Sequence, residues 1–346
     1  MSALLGTSGM DVLTGTPGAD SLFGGPGADT LNGGDGDDTL EGGSGGDILH
    51  GGAGLDTVIF LSRPDPWGVE VLLGDDVDGR PWFPRGDGGG LTDEFAVGGV
   101  DVLYDIENVV GTAYADDMVG SAVANRLEGG AGADSLSGVA GDDSIFGGQG
   151  DDAVGGGAGQ DYLRGDEGRD TISGGDGFDD INGNAGDDIA FGGSGDDWVV
   201  GGKDNDELYG DSTPWDYDAE GSDIVFGNLG NDTLDGGGGN DVIRGGQHDD
   251  ILDGGSGDDW LSGDRGSDTL TGGTGADTFY SFGDAGLDRV TDFNRAQGDR
   301  VQLEPGASYS VAQSGADTVI SLAGGAQMVL VGVTLASLQD GWIFEG

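Results

Sequence analysis

Aspartate is the residue through which this chain could do chemistry, and it recurs at a fixed interval. In GGDGDDTLEGGSGGDILHGGAGLDTV, residues 33–58, a carboxylate stands on a glycine-rich segment every nine residues, at Asp38, Asp47 and Asp56. Asp11, Asp20 and Asp29 precede them at the same interval. Asp116 reopens the series, and Asp134, Asp143, Asp152, Asp161, Asp170, Asp179, Asp188, Asp197 and Asp206 follow. Asp223, Asp232, Asp241, Asp250, Asp259, Asp268 and Asp277 complete it. Carboxylates and backbone carbonyls on stacked loops offer oxygen and nothing softer. Such a donor set suits Ca2+, which takes about six to eight oxygens in flexible geometry. Zn2+ or Cu2+ would ask for His or Cys, and the chain has two His and no Cys. Mg2+ keeps its waters rather than enter a cage of carbonyls.

The elements that must hold these carboxylates follow from the frame. Counted in nines from Gly6, the units read GTSGMDVLT, GTPGADSLF, GGPGADTLN, GGDGDDTLE, GGSGGDILH and GGAGLDTVI. Asp fills the sixth place, and Leu13, Leu22, Leu31, Leu40, Leu49 and Val58 fill the eighth. The frame is lost after Ile59 and resumes at Gly111, running to Tyr280. One unit, Gly210 to Phe226, is longer by eight residues, and Asp223 restores the phase. Asn125 replaces one Asp, and Ala190 replaces one larger aliphatic.

In G-G-x-G-x-D the glycines allow positive φ and a tight turn. The remaining x-U-x, with one apolar residue U, predicts a very short strand with a single inward side chain. Two units close one rung, so residues eighteen apart stack at the strand spacing of roughly 4.8 Å. The expectation is an all-β, parallel, two-sheet solenoid with an aliphatic ladder inside and loops along both edges. Stacking also brings like charges together: two carboxylates roughly 4 Å apart repel by about 1 kcal/mol in water and about 4 at an effective dielectric near 20. Each edge carries a whole column of them, so the fold requires positive charge in its loops.

Four segments are expected: a first repeat block at 1–59, a non-repeat insert at 60–110, a second block at 111–280 extended at 210–226, and a β-rich tail at 281–346. In the insert, the alternation of Val69, Val71 and Leu73 reads as strand.

Composition narrows the partners. With 66 acidic against 12 basic side chains the net charge is −54, which excludes a nucleic-acid phosphate partner and disfavours an anionic membrane surface. Absence of Cys excludes a disulfide framework. The opening MSALLGTSGM has no basic region and no long apolar stretch, so no Sec-type leader is expected in it. No apolar run approaches the roughly eighteen residues that a spanning helix needs.

The units resemble the G-G-x-G-x-D-x-U-x nonapeptide of the RTX (repeats-in-toxin, haemolysin-type) calcium-binding proteins, over Gly6–Ile59 and Gly111–Tyr280. The resemblance implies a parallel β-roll, a two-sheet right-handed solenoid, with Ca2+ between successive turns. It also implies that the sixth-place residues named above, Asp11 through Asp277, are the ligands, together with loop carbonyls. Asn125 lacks the charge and weakens one position. LDTVIFLSRPDPWGVEVLL and DVLYDIENVVGTAYADDMVG resemble the insert that interrupts such rolls. GLDRVTDFNRAQGDRVQL, GADTVISL and DGWIFEG are similar to RTX carboxy-terminal regions, which implies a type I secretion signal, type I secretion machinery as partner, and an extracellular location.

Other chemistry has plainer explanations. Neither His50 nor His248 is followed by Glu, so H-E-x-x-H is absent. Ser44 in GGSGG satisfies G-x-S-x-G only because the repeat does, without a strand–elbow–helix context. His50 and His248 occupy outward places. Arg85-Gly86-Asp87 and Arg164-Gly165-Asp166 match an adhesion tripeptide, as chance allows in a chain this rich in Gly and Asp. Asp65-Pro66 is a candidate self-cleaving bond. Asp216, Asp218 and Glu220 in the lengthened unit read as a solvated acidic loop, since Gly227 stands where an EF-hand would close with Glu. Trp67, Trp82 and Phe83 with Arg63, Arg80 and Arg85 read as a cap on the first block or as a sugar or partner patch.

The expected function is a secreted, non-catalytic, Ca2+-binding β-roll with a structural, adhesive or host-interaction role. Two further readings stay open. One is an accessory or glycan-binding module for an alginate-epimerase-like or lipase-like secreted enzyme. The other is a membrane-active toxin, for which no apolar helical region is visible ahead of the repeats.

Overall fold

The computed structural model describes residues 2–60, 69–73, 102–211, 221–338 and 340–346. The chain is an all-β parallel β-solenoid whose rungs are laid down by the nine-residue period. Two compact units divide it, Met1–Tyr162 and Leu163–Gly346.

The strands are longer than the x-U-x reading predicts. Thr39–Ser44 is typical: it begins one residue after Asp38 and runs through Leu40, Gly42 and Gly43. In such units the next three places also belong to strand, because the glycines pair across rungs, as Gly25 does with Gly43 and Pro26 with Ser44, whereas Val12–Thr14 and Thr269–Thr271 keep the three-residue length. Only G-x-D remains as the turn. Gly45 shows why the turn needs its glycine: it has φ +142°, and a Cβ there would strike the Gly27 carbonyl of the preceding rung.

In the N-terminal unit one sheet runs Ala3–Leu5, Ser21–Pro26, Thr39–Ser44, Thr57–Ile59, Asn108–Val110, Arg126–Ala131 and Ser144–Gln149. Thr57 lies opposite Asn108, and Asn108 opposite Arg126, so both repeat blocks contribute strands to this sheet. The other side of the unit comes in two pieces. Val12–Thr14, Thr30–Asp35, Ile48–Ala53 and Val102–Tyr104 form one, and Glu70–Leu72, Asp117–Val119, Ser135–Ala140 and Ala153–Ala158 the other. Val69, Val71 and Leu73 are buried around the strand that their alternation predicted.

In the C-terminal unit, Trp198 pairs with Ile224, an offset of 26 where the regular period is 18, so the eight extra residues leave the sheet register intact. Residues 212–220, with Asp216, Asp218 and Glu220, lie outside the described residues. So do Asp65-Pro66, Arg85-Gly86-Asp87 and the Trp67, Trp82, Phe83, Arg63, Arg80 and Arg85 set.

Eighth-place side chains form the core. Leu22, Leu40, Val58, Leu127 and Ile145 are fully buried in the N-terminal unit, as are Ile181, Val199, Val225, Ile243 and Leu261 in the C-terminal one. Phe279, the eighth-place residue of the last unit, packs on Phe293, and Phe293 on Trp342, with ring centroids 6.0 and 6.3 Å apart. Tyr309–Ser314 and Asp317–Leu322 add an antiparallel hairpin, which joins its sheet through Gln327–Leu330. No helix among the described residues is long and apolar enough to cross a membrane.

Candidate metal centre

Every sixth-place Asp from Asp20 to Asp277 is buried at a loop edge, and Asp11 is half-exposed. The carboxylates are linked into columns by one repeated hydrogen bond. In most rungs the backbone N–H of one Asp donates to Oδ1 of the Asp one rung on. In the N-terminal unit Asp11 donates to Asp29 and Asp29 to Asp47, Asp20 to Asp38 and Asp38 to Asp56, at 2.7–2.8 Å. Asp116 donates to Asp134, Asp134 to Asp152, and Asp143 to Asp161.

In the C-terminal unit one column runs Asp170, Asp188, Asp206, Asp232, Asp250, Asp268. The second runs Asp179, Asp197, Asp223, Asp241, Asp259, Asp277.

Oδ2 divides the loops into two classes. In Asp29, Asp38, Asp56, Asp134, Asp143, Asp188, Asp197, Asp206, Asp223, Asp232, Asp241, Asp250 and Asp259 it is buried and accepts no hydrogen bond. It points at the first glycine of its own unit, and in most of these loops a carbonyl from the next rung arrives there too. A Cβ built on Gly254 would sit 2.5 Å from Asp259 Oδ2 and 2.6 Å from the Gly272 carbonyl oxygen. One built on Gly24 would sit 2.6 Å from both Asp29 Oδ2 and the Gly42 oxygen. An orphaned carboxylate oxygen beside a convergent carbonyl, at a point that only glycine leaves open, fits a hard cation.

The second class opens each repeat block, with Thr or Ser in the second place. Thr16 donates its N–H and its hydroxyl to Asp20 Oδ2 at 2.6 and 2.7 Å, and Thr7 does the same for Asp11. Thr112 caps Asp116, and Ser121 caps Asn125. The Asn125 amide donates to the Glu107 carbonyl at 2.9 Å.

The pKa shifts of several of these carboxylates run in opposite directions. Thr16 donors hold Asp20 well below the usual carboxylate range. Burial, reinforced by neighbouring carboxylates, pushes Asp134 and Asp143 up to about 7. The same causes push Asp197, Asp206, Asp241 and Asp250 up to about 8. These groups are buried where an anion is costly, and the backbone N–H at Oδ1 offsets that cost only in part.

No three His, Asp or Glu side chains converge on one point among the described residues. A cation here would therefore take carboxylate oxygen from stacked loops and complete its shell with main-chain carbonyls. His50 lies flat on Tyr104, with centroids 4.4 Å apart, in an outward position. Arg164 of the second R-G-D is tied to Asp180 and to two carbonyls, so this tripeptide is part of the sheet.

Sequence reasoning missed Glu107. The Asp56 N–H donates to Glu107 Oε2 at 2.8 Å, so Glu107 takes the sixth place in the rung where the insert rejoins the roll. Its signal was present: an acid two residues before Val109 and eighteen before Asn125.

Among solved structures, the chain is similar to the extracellular lipase LipA from Serratia marcescens, at 21% identity and TM-score 0.27 over 66% of this chain, and it spans 39% of that lipase. It is also similar to the AlgE6R3 subunit of the Azotobacter vinelandii mannuronan C5-epimerase, at 25% identity and TM-score 0.18 over 44% of this chain and 80% of that one. No curated relative matches. The RTX calcium-binding nonapeptide repeat pattern matches in overlapping copies across residues 5–60, 110–212 and 217–279. With its period, its buried Asp columns and this match over most of its length, the chain belongs to the RTX calcium-binding repeat family.

Proposed function

We propose that this chain is a secreted, non-catalytic β-roll that folds as Ca2+ loads its loops, and that it serves outside the cell as a structural or surface-interaction protein. The sixth-place Asp residues from Asp11 to Asp277 are its ligands in this reading, together with loop carbonyls. The observation that carries it is the row of buried Oδ2 atoms without hydrogen-bond partners, most of them beside a carbonyl of the next rung. Such oxygens tolerate burial only with a cation or a proton. Scarce Ca2+ inside the cell would leave the chain unfolded for export by a type I route, and abundant Ca2+ outside would fold it.

The test is far-UV circular dichroism of metal-free protein titrated with CaCl2, with MgCl2 as control. A cooperative coil-to-β transition with Ca2+ alone is expected. A full β spectrum in excess chelator would overturn the reading.

A second reading, a glycan-binding accessory role, is favoured by the outer face of the C-terminal unit. Trp198 is 44% exposed there, Arg244 lies over Phe226 at 5.8 Å, and Trp260 stacks on Tyr280 at 5.3 Å. Aromatic faces of this kind can stack on sugar rings. Retention on immobilised polysaccharide that is lost in Trp198→Ala and Trp260→Ala would support it.

A further inference from the structure

The repeat match ends at residue 279, yet the strands of the C-terminal unit continue past it in the same manner. Leu287–Val290 pairs in parallel with Thr269–Thr271, with Thr269 opposite Arg289 and Leu270 opposite Val290. The Arg289 N–H donates to the Asp268 carbonyl at 2.8 Å, as Thr269 does to Asp250 and Ile251 to Asp232. Counted back from Val290, the sequence Gly283-Asp284-Ala285-Gly286-Leu287-Asp288-Arg289-Val290 keeps Gly in the first and fourth places, Asp in the sixth and an aliphatic in the eighth. It is a further unit, displaced from the frame by Ser281 and Phe282.

Asp288 therefore sits where the column of Asp232, Asp250 and Asp268 would place its next member. It is 1% exposed, and neither carboxylate oxygen has a well-formed hydrogen-bond partner. Its carboxylate meets that of Asp268, itself fully buried. No ion pair joins either residue to a basic side chain among the described residues. A Cβ on Gly286 would strike the Gly266 carbonyl, so the two loops approach as the repeat loops do.

Asp299 gives the contrast. It extends the other column and is 2% exposed, but the Asn294 N–H donates to its Oδ2 at 2.6 Å and the Asp277 N–H reaches its Oδ1 at 3.4 Å. Backbone donors satisfy Asp299. Among the described residues Asp288 has no donor so placed.

We infer that Asp288 and Asp268 together hold a Ca2+ ion beyond the last repeat, with main-chain carbonyls of loops 263–268 and 283–288 completing its shell. The inference rests on the calcium reading of the repeats and extends it to a residue outside them. Its consequence is that the tail is fastened to the roll by the same ion that loads the roll.

Native mass spectrometry of the full chain in Ca2+ counts ions one at a time. Asp288→Asn and Asp288→Ala should each carry one ion fewer than wild type. Asp288→Glu should restore the count, and Glu128→Gln, an outward residue of the N-terminal unit whose side chain is 36% exposed, should leave it unchanged. Limited trypsinolysis gives a second readout. Cleavage after Arg289 and Arg300 should need severalfold more Ca2+ for protection in Asp288→Asn, while cleavage after Arg126 should keep the wild-type dependence. Equal ion counts and equal protection in wild type, Asp288→Asn and Asp288→Ala would overturn the inference and leave the pair sharing a proton. A wild-type chain that bound no Ca2+ would instead overturn the reading of the repeats.

Discussion

At the scale of the residue, each sixth-place carboxylate has two tasks, one per oxygen. Oδ1 accepts a backbone N–H from one rung back, in most rungs that of an Asp, and Oδ2 is left for a cation or, in the loops that open each block, for Thr or Ser. Exchanging Asp for Asn separates these tasks, because an amide oxygen still accepts the N–H and carries no charge. Asp250→Asn should therefore weaken Ca2+ binding at its loop by roughly tenfold or more and make the metal-free chain easier to fold. Calcium-dependent and chelator-treated circular dichroism would move in opposite directions; a parallel loss in both would show that the carboxylate is needed for its hydrogen bond alone. Thr112→Val tests the other class. It removes a hydroxyl donor to buried Asp116, so urea unfolding in saturating Ca2+ should show a loss of about 1 kcal/mol, and a change within error would remove the cap from the account.

The element is the rung, and its tolerance follows from which places touch another rung. Removing residues 212–219 joins Gly210-Asp211 to Glu220-Gly221-Ser222-Asp223 and restores a regular unit. Loop length contributes only weakly to stability, and the strands on either side are already in register. The shortened chain should keep its calcium-induced β spectrum and melt within a few degrees of wild type. A collapse of the transition would mean that this segment holds the second block together.

The rung also marks what sequence alone could convey. Period, phase and the identity of the ladder residues were legible because stacking repeats them. Strand length was not: Gly42 and Gly43 look like turn residues, and only pairing with the neighbouring rung shows them extended. The direction of the Asp-to-Asp hydrogen bond was also hidden, since it joins residues eighteen apart and no single unit contains it. Glu107 escaped because a long insert separates it from Asp56. Asp288 escaped because two extra residues broke the count.

At the scale of the whole molecule, the ionisation of many buried carboxylates acts in one direction. Asp197, Asp206, Asp241 and Asp250 are held up to about 8 by burial, above their ordinary value of 3.8. The folded metal-free chain therefore binds more protons than the unfolded chain between about pH 4 and 8. Its stability must then fall as pH rises through that window, and it is greatest below the window. In chelator, β structure should appear as pH is lowered from 8 towards 4. With Ca2+ at neutral pH the same carboxylates release their protons to solvent as the ion binds, so loading an unbuffered sample should acidify it. A chelator-treated chain equally unfolded at pH 4 and pH 8 would show that the columns are not the obstacle to folding.

The seventh and ninth places of most units point outward, on strands whose register is set by the buried eighth place and the glycines. Thr39 and Glu41 stand there in one rung, Trp198 and Val200 in another, Arg244 in a third, without altering the backbone that carries them. The surface is thus a ruled page. Its line spacing is that of β-strands, roughly 4.8 Å, and its text can be rewritten letter by letter while the binding stays whole. A lineage or an engineer can change what such a page says to a periodic polymer or to a neighbouring cell, and leave unchanged the means by which the page is made.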